Sequence, residues 1–510
     1  MKLAPVAAFV AGLVALAGFA IAQPPPPPVE QPVVLTRGPV HEAFAEPVSL
    51  RPQAGLIVPN QPPPSIEEIP PLDRPQGPGF VWIPGYWNWD TDRNDFIWVS
   101  ACWRQSPPNR YWVPGYWAPV YDPKEAARGG VNIGVGGIGV RVGGGRVDVQ
   151  IGRGLGVHVG DREAPAPAGW EWISGFWASL SDQVIEYLPA PPPPFDLQAP
   201  GRAPAADAVW VPGIWRWEQG RYVRRGGYWL RQQRDWVWVP SHYNWTPRGY
   251  VFTEGYWDYP LQRRGVLFAP VYFPQALYRQ RQYSYSPSIA IDLGAMSANL
   301  FASPRYRHYY FGDYYADAYT RQGIYPLFQS DRYPTWYDPI YVYDRWRYES
   351  ADRRWREHRR ELYERRRGEK DLRPPRTYRD LENSVGRMPP DQRREMELAK
   401  PLGTVIAERD TALKYGQMKP EDRRRILSGA DEARKLREER GRWEAPREGA
   451  TGTSSTPPDA REAKDTPEYV HPRSVGATQP ERVKIVPPRA TAGSSAEPPP
   501  PPNPAGEHGR

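Results

Sequence analysis

The apolar positions between residues 80 and 273 recur as one eight-residue phrase, aromatic-x-Trp-Val-Pro-Gly-Tyr-Trp. It begins nine times, at Phe80, Phe96, Arg110, Trp170, Ala208, Tyr222, Trp236, Tyr250 and Val266. From Ala208 to Tyr250 the copies stand 14 residues apart and the next follows after 16; the first three are separated by 16 and 14. A fixed step of this kind marks a repeat architecture. Trp, Tyr and Val suit a pleated, half-buried surface. The segments between later copies, 218–220, 233–235, 246–249 and 262–265, carry turn residues, and short turns require antiparallel neighbours. The pattern predicts a mainly β protein with a smaller α part. Its centre is an antiparallel, aromatic-rich β-meander of 14–16 residue repeats, with one strand of about 26 Å per copy.

The Pro-Gly step inside each copy bears on strand geometry. Ser100, Ser174, Gly226 and Glu254 replace its Pro, and Ala101, Ser241 and Val271 replace its Gly. A valine resists the positive φ of a Pro-Gly turn, so the substitutions favour a β-bulge within a continuous strand. Trp82 and Trp87 are five apart and would face opposite ways in a regular strand; one extra residue brings them to one face. Trp ladders across strands would then add about 0.2–1 kcal/mol per pair.

The pattern changes outside the repeats. In 128–161, Gly alternates with Val and Ile, predicting strands at 131–135, 140–142 and 147–151 with a turn at Gly143-Gly144-Gly145. Flat, Gly-rich strands have weakly specified register and invite edge pairing, hence self-association. Pro-rich stretches at 23–77 and 189–204 read as extended spacers. The repeat domain spans 78–275, and a Tyr-rich segment follows at 276–343. The region 344–444 is charged and helix-prone: Arg353, Arg354, Arg356, Arg359 and Arg360 alternate with Glu357, Glu361 and Glu364. Glu361 and Arg365 form an i,i+4 pair, and Pro374-Pro375 ends that helix. A second helix is predicted from Pro420 to about Trp443, with Ile426, Ala430, Ala433 and Leu436 as its apolar stripe. Residues 445–510 hold few apolar side chains and are expected to be disordered.

The N-terminus bears on compartment. Lys2, the apolar run 5–21 and Ala20-Ile21-Ala22 before Gln23 compose a secretory signal over residues 1–22. No later stretch reaches 18 apolar residues, so no span is expected after cleavage. Proline is 64 of 510 residues, more than double the usual share of about 5%, so the chain is not expected to form one compact globule. The formal charge of +8 is modest for this length. A lone Cys102 excludes an internal disulfide and stands where other copies carry Tyr, as a small, half-buried apolar residue.

The seven histidines are scattered and form no metal-ligand spacing. His242 replaces a repeat Tyr and reads as structural. The Gly-rich stretch lacks the Gly-Lys-Ser/Thr of a phosphate loop. No catalytic site, metal or cofactor is therefore expected. Eighteen of the 22 Trp lie between Trp82 and Trp257, more than packing one sheet face requires. The eighth-position rings, Trp87, Trp103, Trp117, Trp177, Trp215, Trp229 and Trp257, are candidates for stacking on glycans; the alternative is that they are core, since Trp is mostly buried on average. Arg221, Arg224, Arg225, Arg231 and Arg234 interleave with Tyr and Trp as in single-strand nucleic-acid binders. Export would replace nucleic acid by anionic envelope polymers.

The copies Trp82-Ile83-Pro84-Gly85-Tyr86-Trp87, Trp112-Val113-Pro114-Gly115-Tyr116-Trp117, Trp172-Ile173-Ser174-Gly175-Phe176-Trp177 and Trp210-Val211-Pro212-Gly213-Ile214-Trp215 resemble the bacterial WXXGXW (YXWGXW) repeat family. Arg224 and Phe268 depart from it where Trp is expected, and the likeness covers residues 80–273. Long members with a Tyr-rich middle and a charged helical tail are similar to mu-protocadherin-like cell-surface proteins, although no calcium-ligating acidic motif stands out here. The resemblance implies an exported, non-catalytic scaffold of the envelope, in the periplasm or at the cell surface. Its partners would be envelope polysaccharide, peptidoglycan or other envelope proteins. A glycan- or peptidoglycan-binding module is the alternative.

Overall fold

The structure is a computed structural model that describes residues 31–121, 131–135, 138–143, 146–151, 167–280, 283–333, 335–408, 412–445 and 480–485, those between 131 and 151 by backbone alone. The expected signal segment lies outside these residues. The fold is mainly β, and of the described strand pairings only that of 284–285 with 67–68 is parallel.

Each copy contributes two short strands divided at the Pro-Gly step, and copies associate two by two. In the first hairpin, Phe80–Ile83 and Tyr86–Asp90 run against Cys102–Gln105 and Asp95–Val99. In the second, Arg110–Val113 and Tyr116–Val120 face Phe176–Ser179 and Gly169–Ile173. The third sets Ala208–Val211 and Ile214–Glu218 against Tyr228–Arg231 and Arg221–Arg225. In the fourth, Val237–Val239 and His242–Thr246 meet Tyr256–Asp258 and Gly249–Thr253. The ninth copy lies along the second, through Gly265–Leu267 and Val271–Tyr272. The third hairpin closes tightly on Gln219 and Gly220, both at positive φ (49° and 80°), the backbone of a two-residue type I′ turn.

The third-position ring of one copy faces the eighth-position ring of its partner. Trp82 pairs with Trp103, Trp87 with Trp98, Trp112 with Trp177, Trp117 with Trp172, Trp210 with Trp229 and Trp238 with Trp257. Ring centroids lie from 4.9 Å (Trp238–Trp257) to 5.6 Å (Trp117–Trp172) apart, tilted or edge-on, as aromatic quadrupoles prefer. The ladders are present, but the expected bulge is not their cause. Both strands leave the ladder together at the fifth and sixth positions, so the hairpin is broken across its width. Trp82 and Trp87 consequently enter different core clusters.

The sixth-position Gly is needed for close approach and not for a positive φ. A Cβ at Gly115 would stand 2.6 Å from the Trp172 ring, and one at Gly255 2.6 Å from Trp238. The third-position Trp of each partner lies over this Gly, which links the two most regular letters of the phrase.

Several segments read separately in the sequence share one core. The largest buried cluster joins Val40 and Phe44 to Trp112, Trp177, Trp238 and Trp257, to Leu300 and Trp336, and to Leu381 and Leu398. The Pro-rich stretch expected as a spacer is, from residue 31, woven into the fold: Val33–Val34 adds to Val271–Tyr272, Ile57–Val58 to Gly169–Ile173, and Asp73–Pro75 to Tyr415–Gln417. Within the tail expected to be disordered, Glu481–Lys484 pairs with Val184–Leu188. In the Gly-rich insertion, Val131–Val135, Ile138–Gly143 and Arg146–Ile151 form the predicted antiparallel strands, Gly143 opposite Arg146. Helices Pro339–Glu349, Trp355–Gly368 and Pro420–Glu444 occupy the charged region. The last starts at the predicted Pro and buries Ala430 and Leu436 of its predicted stripe.

Candidate functional site: the exposed third hairpin

A broken ladder frees backbone N–H and C=O groups, and buried ones need partners. In the first hairpin the Glu68 carboxylate accepts from the N–H of Gly85 (3.1 Å) and Ala101 (2.9 Å), while Arg437 donates to Gly85 O (3.2 Å) and His41 Nε2 to Pro84 O (3.2 Å). Burial pushes Glu68 up to about 7 against the pull of these donors, and burial holds His41 down to about 4. In the second hairpin Glu42 accepts from Gly175 N (3.0 Å), and Arg440 donates to Pro114 O (3.1 Å) and Ser174 O (2.8 Å). Arg440 is ion-paired to Glu444 at 2.9 Å, both sealed from solvent. In the fourth, Ser241 Oγ accepts from Gly255 N (2.8 Å) and Arg110 donates to Glu254 O (2.8 Å).

The third hairpin has its break at the surface at Gly226, as the fourth does at Glu254, whereas Gly85, Ala101, Gly115 and Gly175 of the first two are buried. Asp196 approaches Gly227 N at 3.4 Å from an exposed position. Residues 189–196 lie as a strap along this hairpin. Trp215 Nε1 donates to Pro193 O (2.9 Å), Trp210 Nε1 to Asp196 O (2.8 Å) and the Tyr222 hydroxyl to Pro189 O. Asp196 sits at φ 50°, a left-handed conformation that Asp tolerates better than most residues. Phe195 fills the place of a missing ring. Copy six carries Arg224 where Trp is expected, and Phe195 packs over Gly213 instead: a Cβ there would stand 2.5 Å from it. The Phe195 ring meets Trp215 edge-on at 5.0 Å, and the Arg224 guanidinium stands 4.0 Å from its centroid.

Residues 208–231 carry five Arg against one Glu, and Arg216, Arg221, Arg224, Arg225 and Arg231 are exposed. Arg225 pairs with Glu218 (2.6 Å), Arg216 with Glu254 (3.0 Å) and Arg224 with Asp196 (3.4 Å). Such exposed pairs contribute about 0–1 kcal/mol each. Arg221 and Arg231 have no ion-pair partner among the described residues.

The glycan-stacking candidates divide accordingly. Trp87 (3% exposed), Trp103 (0%), Trp177 (3%) and Trp257 (5%) are core, so no sugar can stack on them in this fold. That corrects the expectation for four of the seven: their partner copies and the flanking segments cover them. Trp117, Trp215 and Trp229 are half-buried. Trp117 Nε1 is taken by Trp87 O (2.9 Å) and Trp215 by the strap. Phe195 and Asp196 were missed in the sequence; the available signal was Arg224 at a Trp position.

His242 is buried, its Nδ1 donates to Pro240 O (2.9 Å), and burial holds it down to about 3, as befits a structural histidine. Cys102 is wholly buried, beyond the half-burial expected of it, and burial pushes its thiol well up. Among the described residues no His, Cys, Asp and Glu group could hold a metal ion, and no helix is long and apolar enough to cross a membrane. A cavity between Phe301, Tyr341, Asp344 and Arg359 is about 40 Å³, room for water and far below a ligand pocket of about 300 Å³ or more. Compared with protein-family profiles, characterised proteins and solved structures, the chain finds no match.

Proposed function

We propose that this protein is a non-catalytic interaction scaffold of the bacterial cell envelope, exported to the periplasm or the cell surface, with the third hairpin as its presenting surface. The observation that carries this reading is the unequal fate of equivalent hairpins. Two have their breaks closed by Glu and Arg side chains from distant segments, the fourth closes its own through Ser241, and the third carries half-buried aromatic rings beside five exposed arginines. Binding surfaces of this kind sit on rigid scaffolds. The export part rests on the first 22 residues and on the resemblance to the WXXGXW family.

Fractionation of cells producing the full chain with a C-terminal tag tests the compartment. Recovery in the periplasmic or outer-envelope fraction, shortened by the signal, is the expected outcome; an unprocessed cytoplasmic protein overturns it. The exposed Arg221 and Arg231 beside the half-buried Trp229 favour a second reading, binding to anionic glycans. Co-sedimentation of the processed chain with peptidoglycan or acidic polysaccharide, lost in a Trp229→Ala, Arg231→Ala variant, would put that reading first.

A further inference from the structure

We infer that the third hairpin is a groove for proline-rich peptides, and that residues 189–196 are its built-in occupant. The inference deepens the interaction reading and rests on it only in taking this hairpin as the binding surface; compartment plays no part. Pro189 and the run 191–194 have φ fixed by their rings and adopt an extended helix whose carbonyls lack internal partners. Two hairpin side chains aim N–H or O–H groups at those carbonyls: Trp215 at Pro193 and Tyr222 at Pro189, while Trp210 holds Asp196 O beyond the run. Aromatic walls with directed donors are the means by which proline-rich segments are recognised. The end of the segment is read by other groups: the Phe195 ring enters the slot over Gly213 and the Asp196 carboxylate meets Arg224 and Gly227 N.

The same arrangement occurs a second time in the interior. Trp87, also an eighth-position ring, donates its indole N–H to Pro64 O (2.9 Å) at the end of Pro62-Pro63-Pro64, and Glu68 then enters the break. A proline carbonyl on the eighth-position indole, followed within a few residues by a carboxylate at the break, is therefore a recurring mode of contact. In the first hairpin it is buried. In the third, Pro193 and Asp196 are exposed, and the link at 198–204 to the hairpin is exposed throughout. The strap is held by side chains and a carboxylate, with no strand pairing, so another segment can take its place. The ligand class is a peptide with consecutive prolines followed by an aromatic and an acidic residue. The tethered strap competes at an effective concentration in the mM range, so the groove of the unaltered chain is largely closed.

A fluorescent peptide spanning residues 188–197 provides the test, read by anisotropy against the processed full chain. A Phe195→Ala, Asp196→Ala variant loosens the strap, and its fold is checked by circular dichroism. The expected result is saturable binding, about tenfold or more tighter to this variant than to the unaltered chain. Adding Trp215→Phe, which keeps a ring and removes the N–H, should weaken it several-fold. No saturable binding by the folded variant overturns the inference. So does binding of a soluble polyuronate but not of the peptide, an outcome that leaves the glycan reading standing. Should the variant not fold, the unaltered chain is photo-crosslinked to a peptide carrying benzoylphenylalanine at the Phe195 position. Labelling within 208–231, displaced by plain peptide, is expected; labelling elsewhere or none overturns the groove.

Discussion

In the first hairpin Trp82, Trp87, Trp98 and Trp103 are all buried, and a carboxylate pushed up to about 7 sits inside the break. In the third, Trp210, Trp215 and Trp229 are half-buried, and the carboxylate at the break is exposed. The phrase, the ring register and the break are the same. The difference lies in what covers them. The first hairpin is packed against the ninth copy, the segment before residue 75 and the helix Pro420–Glu444; the third buries Val211 and Leu230 in the shared core, and its outer part meets the strap and the edge of the fourth hairpin. The repeat therefore specifies a hairpin, and the non-repeated segments decide whether that hairpin becomes core or surface.

Substitutions can break this comparison, beginning with the largest effect. Trp103→Ala empties a fully buried site and should cost about 3–5 kcal/mol, whereas Trp229→Ala at the equivalent third-hairpin position should cost less than half of that. Urea unfolding of the processed chain measures both, and equal losses would contradict the contrast. Next comes the break itself. Glu68→Ala leaves the N–H groups of Gly85 and Ala101 buried without an acceptor, at about 1–3 kcal/mol each. Asp196→Asn, which keeps the left-handed backbone and removes only the charge at a solvated break, should stay within about 0.5 kcal/mol.

A pH series sharpens the same contrast. Burial pushes Glu68 and Glu171 up to about 7 and Glu46 up to about 8. A carboxyl raised in the folded state contributes stability that is complete below its unfolded pKa and is lost as pH rises through the folded value. His41 and His242, lowered to about 4 and about 3, act in the opposite sense as pH rises toward the ordinary histidine value near 6.5. Between about pH 6.5 and 8.5 the carboxyls dominate, so unfolding free energy should fall as pH rises. Glu68→Gln should flatten that slope, and no third-hairpin substitution should alter it. The smallest effect belongs to Arg221→Gln with Arg231→Gln: about 0.5 kcal/mol or less, since neither cation holds an ion pair among the described residues.

The aromatic strands, their antiparallel pairing and the helix from Pro420 were legible because each depends on local periodicity and caps. The break was read as a bulge because the partners of its backbone are distant: Glu68, Glu42, Arg437 and Arg440 look in the sequence like ordinary surface charges. The burial of Trp87 and Trp103 was equally hidden, because their phrase is the one that leaves Trp229 half-exposed. Residues 31–75 read as a spacer on their prolines, yet the paired pieces are only two or three residues long, too short for any period to show. The strap was obscured for a similar reason. Its prolines signal an extended chain, and only the Arg at position 224 hints that a ring from elsewhere must fill a place.

Arg440 reaches Pro114 from 326 residues further along the chain, and Arg437 reaches Gly85 from 352. Synthesis proceeds from the N-terminus, so the first two hairpins exist for most of that time with their central carbonyls lacking these partners. Their turns and ring pairs can form early, but the helix that closes both breaks is made only after all nine copies. Long-range closure of this kind is slow, and it leaves incompletely satisfied aromatic strands open to wrong partners in the interval. Closure of the first two hairpins therefore waits on two arginines, three residues apart on one helix face, that are made only after the repeats.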